Sequence, residues 1–262
     1  MSSDPVNFNI DDRGVSYVTL NRPEVHNAFD DEVIRVLISH LQIVQNDPGT
    51  RALVLSSNGK HFSAGADLNW MKRMATLDYE DNIADAGHLA TLMATLNTMK
   101  IPTLTLVQGA AYAGALGLIC CSDMTIASER ATFCVSEVKL GLAPAVISPY
   151  VINVIGQRAA RRYFLSAEVF DVNEAARIGL VQEVVKEDEL TRRAEAIVSN
   201  WLAMGPRALA QTKALIQRVS PNALDDETIR FTQELIAAIR VSAEGQEGLS
   251  AFFEKRKPDW QS

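Results

Sequence analysis

Thr103-Leu104-Thr105-Leu106-Val107, Gln108-Gly109-Ala110-Ala111-Tyr112-Ala113-Gly114-Ala115-Leu116-Gly117 and Met124-Thr125-Ile126-Ala127 follow one another along the chain. The first and last are short apolar, β-branched runs that read as strands, and the small residues between them read as a helix. The same order precedes it. Ala52-Leu53-Val54-Leu55-Ser56 is a short buried strand, followed by a long helical stretch ending near Lys100. Two parallel strands need a crossover that a helix supplies, so strands alternating with helices at this interval predict an α/β fold.

Outward from that unit, Val15-Ser16-Tyr17-Val18-Thr19-Leu20 alternates apolar and polar residues as a half-buried strand does, and Asp11-Asp12-Arg13-Gly14 before it is a hairpin turn. Asp30 or Asp31 caps a helix whose apolar positions Val33, Ile34, Val36, Leu37, Leu41 and Val44 recur at three- and four-residue spacing; Pro48-Gly49 ends it. After about residue 190 the character changes to helices, predicted over Leu190–Met204, Pro206–Val219 and Leu224–Arg240 and punctuated by Pro221 and Gly245. There is no short-period repeat, low-complexity tract or flexible linker.

The 262 residues, 47% hydrophobic and 22% charged, suffice for one large core with an appendage. A net charge of −7 opposes attraction to nucleic-acid phosphates. The basic clusters Arg158, Arg161, Arg162 and Lys255-Arg256-Lys257 read as solvated faces or subunit contacts. Met1-Ser2-Ser3-Asp4-Pro5 has neither a basic segment before an apolar run nor an Arg-rich amphipathic stretch, which gives cytoplasmic placement as the expectation. The longest apolar stretch, Ala110–Ile119, is far short of the roughly 20 residues that span a bilayer. Cys120, Cys121 and Cys134 lie in apolar sequence without metal-type spacing, so they read as reduced core residues.

Two stretches carry chemistry. His61-Phe62-Ser63-Ala64-Gly65-Ala66-Asp67-Leu68 follows a strand and turns into the helical Asn69-Trp70-Met71-Lys72, where small residues bring backbone amides close to a ligand. One such turn is ordinary. The stretch from Gln108 to Ala115 is a second of the same kind, and two amides aimed at one carbonyl oxygen make an oxyanion hole. Neither GxGxxG nor GxxxxGK[ST] occurs, which sets a phosphate cradle aside. Glu137 lies between the apolar runs Phe133-Cys134-Val135 and Leu140-Gly141-Leu142, whereas a glutamate is ordinarily solvated. His40, His61 and His88 have no partners at ligand or triad spacing and read as structural.

With these motifs the chain resembles the enoyl-CoA hydratase/isomerase (crotonase) superfamily, from Leu20-Asn21-Arg22-Pro23 to Phe252-Phe253-Glu254-Lys255-Arg256. The resemblance implies a spiral of β-β-α turns over residues 1–195 and a C-terminal helical region, 196–262, that builds a trimer or hexamer. It implies an acyl-CoA thioester as substrate, with no separate cofactor, metal, nucleic acid or membrane. The amides of Ala66 and Gly114 would be the oxyanion donors, and Glu137 the group that transfers protons at the substrate carbons. Hydratases of the superfamily usually carry a second glutamate where this chain has Gly117. That glycine either permits close packing or leaves room for a branched acyl group. Ser148, Tyr112 and Cys121 are candidates to replace the missing carboxylate. Ala64, Asp67, Leu68 and Trp70 match the substrate-binding turn. Arg22 and His26 match the segment that contacts pantetheine and phosphates, although a lysine common at Glu24 is absent. Phe252 and Lys255 match residues that reach a neighbouring subunit's CoA. Within the superfamily, Gly65–Lys72, Tyr112–Leu118 and Ala143–Tyr150 look most like bacterial 3-methylglutaconyl-CoA hydratases of leucine breakdown. The alternatives are an isohexenylglutaconyl-CoA hydratase, a Δ3,Δ2-enoyl-CoA isomerase, and a noncatalytic or RNA-associated scaffold.

Overall fold

Asp11 shapes the first turn of the computed structural model, which describes residues 4–74, 76–219, 238 and 242–261. Its Oδ1 accepts the amides of Arg13 at 2.9 Å and Val15 at 3.0 Å. Gly14 completes the turn at φ +79°, where a Cβ would lie 2.2 Å from the Gly49 carbonyl oxygen. Strands β1 (Val6–Ile10) and β2 (Val15–Leu20) therefore run antiparallel. The alternation predicted for β2 is interrupted at Ser16, which is fully buried; β3 (Ala52–Ser57) covers the other edge of β2 in parallel register.

Between them, α1 (Asp31–Asn46) starts where the Asp30 carboxylate accepts the Val33 amide at 2.8 Å. An acceptor there satisfies one of the four orphan donors of a helix start. Val33, Ile34, Leu37, Leu41 and Val44 form its buried stripe, with Val36 at the edge. Burying each such side chain contributes about 1.5–3 kcal/mol, so the stripe fixes which face meets the sheet.

The next elements are α2 (Leu68–Met74), α3 (Tyr79–Asn97), β4 (Thr103–Val107), β5 (Ala110–Tyr112), α4 (Gly114–Cys121), β6 (Met124–Ser128) and β7 (Thr132–Cys134). They are followed by α5 (Ser148–Ser166), β8 (Phe170–Asp171), α6 (Val172–Arg177) and β9 (Glu183–Val185). Among the described residues these strands form two sheets, one ordered β1-β2-β3-β4-β6-β9 and the other β5-β7-β8. From β2 onward the long sheet is parallel, and its central strands β3, β4 and β6 are buried at most positions, threonines included, as strands of a parallel sheet covered on both faces are. The pairs β4/β5 and β6/β7 each give one strand to either sheet, which is the spiral of β-β-α turns that the family resemblance implied. The strands of the small sheet are two or three residues long, too short to show a period.

Backbone contacts divide the chain into two compact units, Met1–Met99 with Thr103–Ala194, and Lys100–Pro102 with Glu195–Ser262. The described elements of the second are helices. It contains the end of α7 (Leu190–Leu202), α8 (Pro206–Val219) and α9 (Ala243–Glu254). Glu244 caps α8 by accepting the amides of Arg207 at 3.0 Å and Ala208 at 2.7 Å, and Trp260 Nε1 donates to the Ala203 carbonyl. The helix predicted over 224–240 lies outside the described residues, apart from position 238. No described helix is long and apolar enough to cross a membrane.

Two glycines should respond oppositely to alanine. Gly14→Ala places a methyl group against a backbone oxygen at positive φ and should cost about 1–3 kcal/mol in urea unfolding. Gly87→Ala, in α3 with nothing within 4 Å of the new Cβ, should gain roughly 0.5–1 kcal/mol.

Candidate active site

The loops after β3 and β4 leave the carboxyl ends of adjacent parallel strands, the crevice where open α/β sheets present ligand-binding groups. They lie side by side. The Phe62 amide donates to the Gln108 carbonyl at 2.8 Å, Ser63 to Ala110 at 3.1 Å, and Tyr112 back to Ser63 at 3.0 Å. His61 Nδ1 accepts the Ala110 amide at 3.0 Å, and burial holds that imidazole's pKa below its ordinary value, which keeps the ring an acceptor. Gly65, at φ +92°, sits where a Cβ would be 3.0 Å from the Ala113 Cβ and 3.1 Å from the Tyr112 carbonyl oxygen. Only a residue without a side chain lets the two backbones approach this closely.

A third segment closes the arrangement. Asn27 is buried at φ 53° and donates to the carbonyls of Asn58 and His61, both at 2.8 Å, while its Oδ1 accepts the Arg22 amide. Phe29 then bridges Ala66, donating to the Gly65 carbonyl at 2.7 Å and accepting the Asp67 amide at 2.6 Å. The Ala66 amide between them meets no acceptor among the described residues. Across the seam Ala113 adopts φ 50°, ψ −120°, a conformation of the kind that costs about 1–3 kcal/mol in a non-glycine residue. It turns the chain so that Gly114 opens α4, and as first residue of that helix Gly114 has an amide with no intrahelical acceptor.

Ala66 and Gly114 both line a cavity of about 470 Å³, with Ala64, Leu68, Trp70, Ser136 and Glu137. Glu137 begins a single 3-10 turn, Glu137–Leu140, and its carbonyl accepts the amides of Gly141 and Leu142. Burial pushes its carboxyl pKa up, opposed by weaker hydrogen bonding from the Ser136 and Glu137 amides. Its Oε2 is buried without a partner. A buried polar atom left unsatisfied calls for explanation, and a raised carboxyl facing a cleft suits proton transfer. A larger hollow of about 680 Å³ is lined by Arg158, Arg161, Arg162 and Arg177 on α5 and α6, but it contains neither unpaired amide. Among the described residues no group of three His, Cys, Asp or Glu could hold a metal ion.

The other sequence candidates divide. Arg22 pairs with Asp30 at 2.7 Å and Asp67 at 3.4 Å and donates to the Ala28 carbonyl, a clamp on the starts of two helices. Asp67 caps α2 through the amides of Asn69 and Trp70 and does not line the cavity. His26 is exposed and packs edge-on against His61. The expectation that Gly117 leaves room for a branched acyl group is corrected, since a Cβ there would lie 2.6 Å from Ile147 Cγ2 and 2.8 Å from Met93 Sδ. Those side chains fill the space, and Ile147 forms the cavity wall. Tyr112, Ser148 and Cys121 do not line the cavity; Cys121 is buried against Met93. Lys255 is exposed in the helical unit, and the side chain of Phe252 lies outside the described residues. Sequence reasoning missed Phe29, Ser136 and Asp85. Asp85 lines the cavity from α3 and accepts Trp70 Nε1 at 3.1 Å. Its spacing to Ala86 and Leu89, which also line the cavity, marks one helix face.

Residues 11–262 match the family described as enoyl-CoA hydratase/isomerase. A solved enoyl-CoA hydratase from Shewanella pealeana is 49% identical, covering 98% of this chain and 96% of its own, with a TM-score of 0.95. An enoyl-CoA hydratase structure from Mycobacterium smegmatis is 29% identical, covering 99% and 100% of the two chains, with a TM-score of 0.93. The 2,3-dehydroadipyl-CoA hydratase of Escherichia coli is 29% identical over 94% of this chain and 94% of its own.

Because burial raises the folded-state pKa of Glu137, the unfolded chain ionises that group first, and stability falls as pH climbs through the raised value. Glu137→Gln should therefore melt above wild type at pH 8, with the gap closing near pH 4, as read by calorimetry. Gly117→Glu should cost about 1–3 kcal/mol by overpacking, and Ile147→Ala added to it should recover part of that loss.

Proposed function

The chain belongs to the enoyl-CoA hydratase/isomerase family, and we propose that it adds water reversibly across the α,β double bond of a branched enoyl-CoA, with 3-methylglutaconyl-CoA as its substrate. The observation that carries the chemistry is the convergence of two unpaired amides, Ala66 and Gly114, and one desolvated carboxyl, Glu137, on a single cavity. The amides take the thioester oxygen. As water attacks the β-carbon, electron density moves onto that oxygen, and each donor lowers the barrier by stabilising charge that is small in the ground state. Glu137, protonated to higher pH than an ordinary carboxylate, delivers the proton that completes the α-carbon.

The acyl group is argued from likeness. Gly65–Lys72, Tyr112–Leu118 and Ala143–Tyr150 resemble 3-methylglutaconyl-CoA hydratases, and the E. coli relative is named for an acyl chain that also ends in a carboxylate. The cavity sets a condition on that substrate. Among the described residues its lining contains no Lys, Arg or His, so the distal carboxylate belongs at the mouth, beside exposed Leu68 and Leu140 and the exposed Lys72 and Lys139 of the same turns. A Δ3,Δ2-enoyl-CoA isomerase is the second reading, favoured by the closed wall at Gly117, because one carboxyl suffices to move a proton between α- and γ-carbons. A homotrimer or hexamer, with Lys255 reaching a neighbour's CoA, accompanies both readings.

Purified protein with crotonyl-, 3-methylcrotonyl-, 3-methylglutaconyl- and isohexenylglutaconyl-CoA tests the proposal. The enoyl-thioester absorbance should fall with the highest kcat/KM on 3-methylglutaconyl-CoA; preference for crotonyl-CoA, or absorbance gained only from a 3-enoyl thioester, contradicts it. Glu137→Gln should lose about 10²–10⁴-fold in kcat, and retention of more than about a tenth of the rate removes Glu137 from its role.

A further inference from the structure

Hydration asks for two separate acts, protonation of the α-carbon and delivery of a water molecule to the β-carbon. Glu137 accounts for the first. The wall at Gly117 is closed by Ile147 and Met93, so no group there handles the water. The cavity nevertheless has a second carboxyl. Asp85 reaches it from α3, whose other lining residues are the apolar Ala86 and Leu89. One oxygen, Oδ1, accepts the indole N–H of Trp70 at 3.1 Å. Trp70 is only 7% exposed, and the Asp67 carboxylate caps its backbone amide, so the donor is fixed by packing and by a helix start. The other oxygen of Asp85 has no partner among the described residues. An aspartate on the lining of a largely apolar cavity, with one oxygen tethered and the other unoccupied, has the form of a positioned acceptor.

Resting on the hydratase reading above, we propose that Asp85 is the second carboxylate of this site, orienting the attacking water and taking its proton. The water oxygen forms the C–O bond to the β-carbon while its proton passes to Asp85. The π electrons move to the thioester, where the Ala66 and Gly114 amides hold the enolate oxygen, and the α-carbon takes its proton from Glu137. Proton exchange with solvent then deprotonates Asp85 and reprotonates Glu137, so atoms and charge balance over the cycle. Glu137's raised pKa agrees with its acting as the acid of the pair.

The test separates water delivery from enolate chemistry. Asp85→Asn keeps a carbonyl oxygen for the Trp70 indole and removes the base. Hydration of 3-methylglutaconyl-CoA is measured beside deuterium exchange at the α-carbon of the saturated 3-methylglutaryl-CoA, a reaction needing only Glu137 and the two amides. The variant should lose at least about 10²-fold in hydration kcat while keeping exchange within about threefold of wild type. Trp70→Phe, which frees the tether but leaves the carboxylate, should lower kcat with little change in KM. Hydration by Asp85→Asn within threefold of wild type overturns the role, and so does a parallel loss of hydration and exchange, which marks Asp85 as a support for the fold. Wild-type protein that exchanges α-hydrogens but hydrates no thioester of the panel overturns the hydratase reading itself, and Asp85's role with it. Wild-type hydration alongside an active Asp85→Asn overturns only Asp85's role.

Discussion

The segment 61–66 lies against 108–113 so closely that a Cβ on Gly65 would come within 3.0 Å of the Ala113 Cβ, and three backbone hydrogen bonds between Phe62, Ser63, Gln108, Ala110 and Tyr112 hold it there. The site depends on this seam. Loops that leave neighbouring strands would otherwise diverge, and two amides on separate loops would not face one point. The parallel sheet sets the spacing of the strand ends, Asn27 and Gln108 tie the loops back to the turn at 57–61, and Ala113 supplies the sharp change of direction that begins α4. A donor pair built into backbone costs little reorganisation when charge develops, because its geometry is set during folding.

Around that pair, composition does the electrostatic work. The walls are mostly Leu, Met, Ala, Pro and Ile, so Glu137 is poorly solvated and its neutral form is favoured. The same apolar wall excludes a carboxylate at Gly117, since Ile147 occupies the space that such a side chain would cross. On the proposed mechanism the attacking water is handled from a different element, α3, where Trp70 Nε1 donates to Asp85 on the cavity lining.

Much of the frame was legible in the residues. The stripe from Val33 to Val44, the buried run Ala52–Leu55, the alternation of strands with helices and the two small-residue turns each follow from period and residue type. The Asp30 cap follows from the same reasoning. Less legible were features that depend on which side chains meet in space. Arg22 is legible as a cation near the site, but its pairing with Asp30 and Asp67 is not. Gly117 looks like open space until Ile147, thirty positions on, is seen to fill it. Asp85 lies in an Ala-rich helix with a weak period, and only the cavity reveals its face. The strands of the small sheet escaped because two or three residues carry no pattern.

The central claim is that the Ala66 and Gly114 amides polarise a thioester carbonyl. Infrared difference spectroscopy of a 3-methylglutaconyl-CoA labelled with ¹³C at the thioester carbonyl, bound to Glu137→Gln so that turnover is suppressed, reads that polarisation directly. The labelled band should move to lower wavenumber on binding, because two hydrogen bonds to the oxygen weaken the C=O bond. A band that stays at its position in water while the thioester is fully bound would contradict the account.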